Sequence, residues 1–240
     1  MTAGIDLNAD VGESAGAVTV GDDAAVVPLV TSVNVACGGH AGDDAVMRRT
    51  LRLARTHGVA AGAHPAYPDR EGFGRRELGL PPAAIHDAVV AQVTRLARVA
   101  AAEGVPLRHV KPHGALYNRA AREPAVADAI ARAVAAVDPA LRLVGLAGSA
   151  LVEAARAHGL APLREGFCDR RYGADGLLVP RSEPGACLDD PAAAADQALA
   201  LATRGDVDTL CVHGDGPSAV PILRAVRTRL ATAGIPLRAP

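Results

Sequence analysis

A single lysine occurs in this chain, against 24 arginines, and it lies between two histidines in His109-Val110-Lys111-Pro112-His113-Gly114. A composition that uses arginine wherever plain positive charge suffices marks its one ammonium as a candidate for chemistry. Lysine is a compact charge whose pKa falls readily on burial, whereas arginine stays protonated. Lys111→Ala is therefore expected to abolish activity with little loss of stability. Other groups of catalytic type fall at the ends of short apolar runs: Asp10 with Glu13 beyond it, Cys37 with His40 and Asp43, His64, His113, Cys168 with Asp169, and His213 with Asp215. Of the eight histidines, His40, His64, His109, His113 and His213 belong to this set. His57, His86 and His158 fall on helical stretches and read as capping or solvated side chains.

These residue types support several reactions. Asp10, His40 and His64 offer a carboxylate and two imidazoles, a facial set for a divalent ion that activates water. Without a metal, Asp10 or His64 would act as general base while Lys111 and His113 hold a developing oxyanion. Cys37 offers a thiol nucleophile, though a cysteine ending an apolar strand more often packs as a small hydrophobe. Arg75, Arg76 and Arg181 lie in loops, where a guanidinium fork can grip a carboxylate or phosphate, or simply carry surface charge. No Gly-x-x-x-x-Gly-Lys-Ser/Thr segment occurs, which excludes an ordinary P-loop. Gly148, before the helix that starts near Ser149, is a weak candidate for anion binding at a helix N-terminus.

The elements that must position these groups alternate along the whole chain. Strand-like runs cover 5–10, 32–37, 59–64, 107–113, 141–147, 162–168 and 209–213. Amphipathic stretches between them cover 43–57, 82–103, 124–137, 149–158, 191–204 and 217–233, several opening on Pro, Asp or Ser and several ending at Gly. Strands separated by helices of this length pair in parallel through βαβ crossovers. An open parallel sheet covered on both faces would be apolar throughout. Here Asp6, Asn8 and Asp10 fall on alternate positions, as do His109, Lys111 and His113, so one face of several strands is polar. A (β/α) barrel with a wet mouth accounts for that pattern, and catalytic groups gather at the C-terminal ends of barrel strands. No linker or repeat divides the chain, so a single barrel domain over residues 1–240 is expected.

The totals agree. At 240 residues the chain can bury roughly 70–75% of its unfolded surface without staples. Half of the residues are hydrophobic but only 2% aromatic, so the core must be built from Ala, Val and Leu. A net charge of −1 supplies no electrostatic reason to expect nucleic acid or an anionic membrane. Four scattered cysteines form no framework and fit reduced thiols in the cytoplasm. The N-terminal residues lack a basic then apolar leader, and no run approaches a membrane span.

Together these residues resemble the LamB/YcsF family, described as the A subunit of 5-oxoprolinase. The resemblance spans essentially the whole chain. It rests on Asp6-Leu7-Asn8-Ala9-Asp10-Val11-Gly12-Glu13, on Asn34 through Cys37-Gly38-Gly39-His40 to Asp43, and on Gly62-Ala63-His64-Pro65 with Tyr67-Pro68-Asp69. It continues through Gly72-Phe73-Gly74-Arg75-Arg76, the lysine segment with Tyr117-Asn118, Asp169-Arg170-Arg171-Tyr172, Leu178-Val179-Pro180-Arg181 and Cys211-Val212-His213-Gly214-Asp215. The resemblance implies a distorted seven-stranded parallel (β/α) barrel of the glycoside hydrolase/deacetylase type. It also implies ATP-dependent hydrolysis of 5-oxoproline to L-glutamate with partner subunits B and C, ATP bringing its Mg. On these stretches the candidate catalytic residues are Asp10, His64, Lys111 and His113. Asp6, Asn8, Asn34, His40, Arg75, Tyr117, Arg181, His213 and Asp215 are the candidate substrate contacts. A metal-dependent carbohydrate deacetylase and a non-catalytic binding protein are the rival readings. Two departures from the family pattern stand out. Gly39 replaces the usual aromatic, which is expected to loosen the pocket beside His40, and the connection 204–208 is short.

Overall fold

The computed structural model describes residues 4–14 and 18–240. Residues 1–3, part of the stretch on which the absence of a leader is read, lie outside the described residues. The elements run β1 (Asp6–Val11), a short helix α1 (Asp23–Val26) continued by a 3-10 turn (Val27–Leu29), β2 (Ser32–Ala36), α2 (Asp44–Thr56), β3 (Ala60–His64) and α3 (Pro82–Ala102). They continue with β4 (Leu107–Val110), α4 (Gly114–Arg122), α5 (Pro124–Val137), β5 (Arg142–Leu146), α6 (Ala150–Ala157), β6 (Pro162–Phe167), α7 (Pro191–Arg204), β7 (Thr209–Cys211) and α8 (Ala219–Thr232). The strands pair in sequence order to form a closed barrel. Parallel β7 returns to β1 with Asp6 opposite Thr209 and Asn8 opposite Cys211. The expected distortion is local: the register of β3 on β4 slips between Ala61 and Gly62.

Helix boundaries follow the capping chemistry. Asp43 accepts from Val46 N at 2.9 Å to start α2, and Asp190 with Pro191 starts α7. Gly205 stops α7 with a φ of 76°, the left-handed cap that makes the short 204–208 connection feasible. Asp208 then ties the connection to Arg164 at 2.7 Å. Strand β4 is shorter than expected because Pro112 has no N–H to extend the ladder. Lys111 and His113 nonetheless stay alongside the end of β3, donating their backbone N–H to Ala63 O and Pro65 O at 2.9 and 2.8 Å. Helix α4, unanticipated in the sequence, starts directly after His113 from Ala, Leu and Arg helix formers.

The apolar core is the shell between barrel and helices. Leu7, Ala9, Val11, Val33, Val35, Ala61 and Ala63 turn outward from the strands and pack against Met47 and Leu51 of α2 and Val89 and Val93 of α3. Each fully buried Leu or Val of this shell contributes about 1.5–3 kcal/mol. The alternate positions turn inward, and there the barrel is polar. At its base Asp6 accepts from the hydroxyls of Thr31, Ser32 and Thr209 at 2.6–2.7 Å. Burial nevertheless raises its carboxyl above the usual range. One layer up, Asn34 donates to Asn8 Oδ1 at 2.8 Å and accepts from His109 at 2.8 Å. Gly62 faces His109 across the interior, and a Cβ there would lie 2.2 Å from the imidazole. Only glycine leaves room for that ring.

Gly39 does not loosen the site as expected. A Cβ there would meet Gln92 Oε1 at 2.2 Å. The Gln92 side chain fills the space and bonds Ala66 N and O at 3.0 and 2.8 Å. Among the described residues no helix is long and apolar enough to cross a membrane.

Candidate active site

Above the asparagine layer, the strand ends converge on Lys111. Its ammonium is buried and lies 3.1 Å from Asp10 Oδ1, 2.9 Å from Glu165 Oε1, 3.2 Å from Asn8 Oδ1 and 3.1 Å from Cys211 Sγ. Burial alone would favour the neutral amine, but Asp10 and Glu165 outweigh it and hold the pKa well above that of a free lysine. Lys111 is therefore a fixed cation, as the expected role of holding an oxyanion requires. Asp10 is its complement. Burial opposes its charge, yet His64 and Lys111 keep the carboxyl well below the usual range.

Beside this pair stands a cluster of imidazoles. His64 Nε2 is 3.3 Å from Asp10 Oδ2 and 3.0 Å from His113 Nδ1. His40 stacks on His113, with ring centroids 3.8 Å apart and planes within 3°, and meets Glu13 Oε1 at 3.1 Å. Burial pulls the His40 imidazole down to about 3 and the His113 ring well below its ordinary value. Burial and the neighbouring Asp10 push Glu13 up to about 8. Glu13, His40, His64 and His113 place one ligand atom each within 4.8 Å of one another, a group able to hold a metal ion. Asp10 groups instead with Cys211 and His213, so the expected set Asp10, His40 and His64 is not the one assembled.

These groups close the inner end of a cavity of about 470 Å³. Asp10, His64, Lys111 and His113 form its floor, with Tyr117, Phe167, His213 and the buried Arg170 on the walls and the exposed Arg75 and Arg181 toward the opening. His213 is oriented by Asp169, whose Oδ2 accepts from both His213 N and Nδ1 at 2.9 Å, and it stacks on Phe167 at 5.4 Å. Arg75 reaches across the mouth to pair with Asp215 and lies 5.0 Å over the Phe73 ring. The Tyr117 hydroxyl neighbours Glu165, although the two fall short of hydrogen-bonding geometry.

Of the thirteen candidates, Asp10, His64, Lys111, His113, Arg75, Tyr117, Arg181 and His213 border the cavity. Asp215 is joined to it through Arg75. Asp6, Asn8 and Asn34 lie beneath the floor and His40 behind His113, so none of these four borders the cavity. Strand alternation reveals the face a residue presents but not its depth along the barrel. Cys37 is buried away from the cavity, and burial pushes its thiol up to about 12, which removes it as a nucleophile. Glu165 and Phe167 belong to the site although sequence reasoning misses them, and Asp169, noted there at the end of a run, joins the site as the partner of His213. Glu165 and Phe167 are alternate residues of β6, and that spacing in the 162–168 run is a readable signal. Glu13 is legible only as part of a motif, since a turn at Gly12 (φ 69°) brings it inward.

Known proteins agree with this architecture. A 5-oxoprolinase A subunit from Chloroflexus aggregans is 54% identical across 98% of both chains. The solved lactam utilization protein from Thermus thermophilus superposes with a TM-score of 0.92 at 46% identity, covering 99% of this chain and all of that one. A peptidoglycan N-acetylglucosamine deacetylase catalytic domain from Eubacterium rectale shares the fold alone, at TM-score 0.54 and 10% identity over 98% of this chain and 87% of that one. Residues 5–240 match the LamB/YcsF family, and the chain belongs to it.

Proposed function

We propose that this chain is the A subunit of an ATP-dependent 5-oxoprolinase, hydrolysing the lactam of 5-oxoproline to L-glutamate with subunits B and C. The observation that carries this reading is the ammonium–carboxylate pair of Lys111 and Asp10 on the floor of a cavity whose opening is lined by arginines. Relatives that bear the name of the 5-oxoprolinase A subunit over nearly their whole length support the substrate.

The lactam is an unstrained amide, so its opening needs a delivered water, stabilisation of the charge that grows on the carbonyl oxygen, and an anchor for the substrate carboxylate. Asp10, held ionised, takes the proton from water as it adds to the carbonyl and passes it to the lactam nitrogen as the C–N bond breaks, while His64 and His113 hold that water against it. Lys111 supplies fixed positive charge beside the developing oxyanion, the electrostatic role that dominates most acyl-transfer sites. Arg181 and Arg75 provide guanidinium forks for the substrate carboxylate. Tyr117, Phe167 and the Asp169-oriented His213 shape the walls. Asn8, Asn34 and Glu165 support Lys111 from below, His40 buttresses His113, and Asp6 ties the barrel base. The coupling to ATP and its Mg resides largely in subunits B and C, with this chain performing the hydrolytic half. In this reading the whole chain works as one barrel domain in the cytoplasm, where its four free thiols persist.

Co-expression with candidate B and C subunits, followed by measurement of glutamate from 5-oxoproline with and without ATP, tests the assignment. Glutamate is expected only with all components present. Turnover of an acetylated sugar by the lone chain, without ATP, would replace this reading by the deacetylase one.

A further inference from the structure

The protonation of the imidazole cluster can be worked out from its partners. His64 Nδ1 lies 2.7 Å from Lys111 O, and His113 Nε2 lies 3.0 Å from Phe73 O. A carbonyl oxygen only accepts, so both of these nitrogens carry the N–H. In the neutral rings, the form that binds a metal, the remaining nitrogens, His64 Nε2 and His113 Nδ1, present lone pairs to one another at 3.0 Å. Two carboxylate oxygens join them: Asp10 Oδ2 at 3.3 Å from His64 Nε2, and Glu13 Oε1 at 3.5 Å from His113 Nδ1. The two imidazole nitrogens and the Glu13 carboxylate thus lie within reach of one ion, while Asp10 flanks His64.

We propose that His64 Nε2, His113 Nδ1 and Glu13 Oε1 bind a divalent first-row metal ion. Separations of 3.0–3.5 Å match neighbouring ligands on an ion with bonds of roughly 2.0–2.2 Å. The His64 and His113 rings stand at 84°, which lets both planes pass through one ion. Two imidazoles with a carboxylate suit zinc, iron or manganese. The outer partners are those of metal-bound histidine, whose second nitrogen almost always donates to a carbonyl or carboxylate. One of those carbonyls belongs to Phe73, the one non-glycine residue at positive φ (55°) among the described residues. A non-glycine backbone held in that region is strained, and such strain clusters at functional sites. His40 is not a ligand here: its ring lies parallel to His113, so one ion cannot sit in both planes. It positions Glu13 through Nε2 instead. Asp10 stands between Lys111 and the ligand His64, with Oδ1 on the first and Oδ2 facing the second. His64 and His113 border the cavity, so an ion held there is reached from it.

This deepens the hydrolytic reading by naming what holds the water, but its test needs no substrate. The full chain is stripped with chelator and titrated with Zn²⁺ by calorimetry and with Co²⁺ by visible absorption. One ion per chain, a Co²⁺ ligand-field spectrum and a rise in melting temperature are expected. His64→Gln and His113→Gln should each weaken binding by at least about 100-fold, and His40→Gln by the roughly 10–100-fold typical of an outer partner. His213→Ala should leave affinity unchanged, which separates this site from the Asp10, Cys211 and His213 group. Absence of stoichiometric binding by the wild type would overturn the proposal, as would affinity that ignores His64 and His113 or follows His213. A stripped wild type that binds no metal while the assembled enzyme still makes glutamate would reject the metal and leave the lactam assignment standing.

Discussion

Replacing Lys111 with methionine keeps the length and most of the volume of the side chain but removes its charge. The sequence alone suggests that losing this lysine costs activity and spares stability. The structure reverses the second half of that expectation. The ammonium is 2% exposed and sits between Asp10 at 3.1 Å and Glu165 at 2.9 Å, both buried. Removing one partner of a buried ion pair leaves an uncompensated charge and costs about 3–5 kcal/mol. At about 2–4 °C per kcal/mol for a chain of this size, the melting temperature should fall by roughly 6–20 °C. Thermal and urea denaturation of Lys111→Met measure this directly. Glu165→Gln added to Lys111→Met should recover part of the loss, because it removes one of the stranded carboxylates, while activity stays absent. A stability change below about 1 kcal/mol in Lys111→Met, or a double variant less stable than the single, would refute the claim that the lysine is a fixed structural cation.

Other outcomes follow from the same geometry. Gly62→Ala places a methyl 2.2 Å from the His109 ring and should cost about 1–3 kcal/mol by overpacking, with His109→Ala partly restoring the melting temperature. Arg181→Ala should raise KM for 5-oxoproline by about 10-fold or more while kcat changes little, the pattern of lost uniform binding in steady-state kinetics. Asp169 is held below its ordinary 3.8, where burial is outweighed by His213. A depressed carboxylate contributes stability above its unfolded pKa and loses it as pH falls through the folded one. Acid denaturation below about pH 4 should therefore be shallower in Asp169→Asn than in the wild type.

Much of the barrel is legible because its polar interior breaks the apolar rule for parallel strands. The alternation of Asp6, Asn8 and Asp10 identifies an inward face, and the pairing of Asn8 with Cys211 and Asp10 with Asn34 bears this out. Depth is not legible: Asp6 is spent on three hydroxyls at the base while Asp10 reaches the cavity, although both share one face. Glu165 follows Arg164 and reads as ordinary strand charge, and only its partner Lys111, 54 positions earlier, explains a carboxylate with no exposure. The filling of Gly39 by Gln92 likewise depends on a residue 53 positions away, which no local pattern could supply.

The central claim is that the carboxylate of Asp10, paired with Lys111 beneath the cavity, performs the hydrolytic step. Its most direct measurement is glutamate formation from 5-oxoproline by the complex assembled with either wild-type chain or Asp10→Asn, after both are shown folded by circular dichroism. The account predicts a loss of about 100-fold or more in kcat for the variant, the usual scale for removing a general base. Turnover within a few-fold of wild type, or glutamate produced with this chain left out, would contradict it.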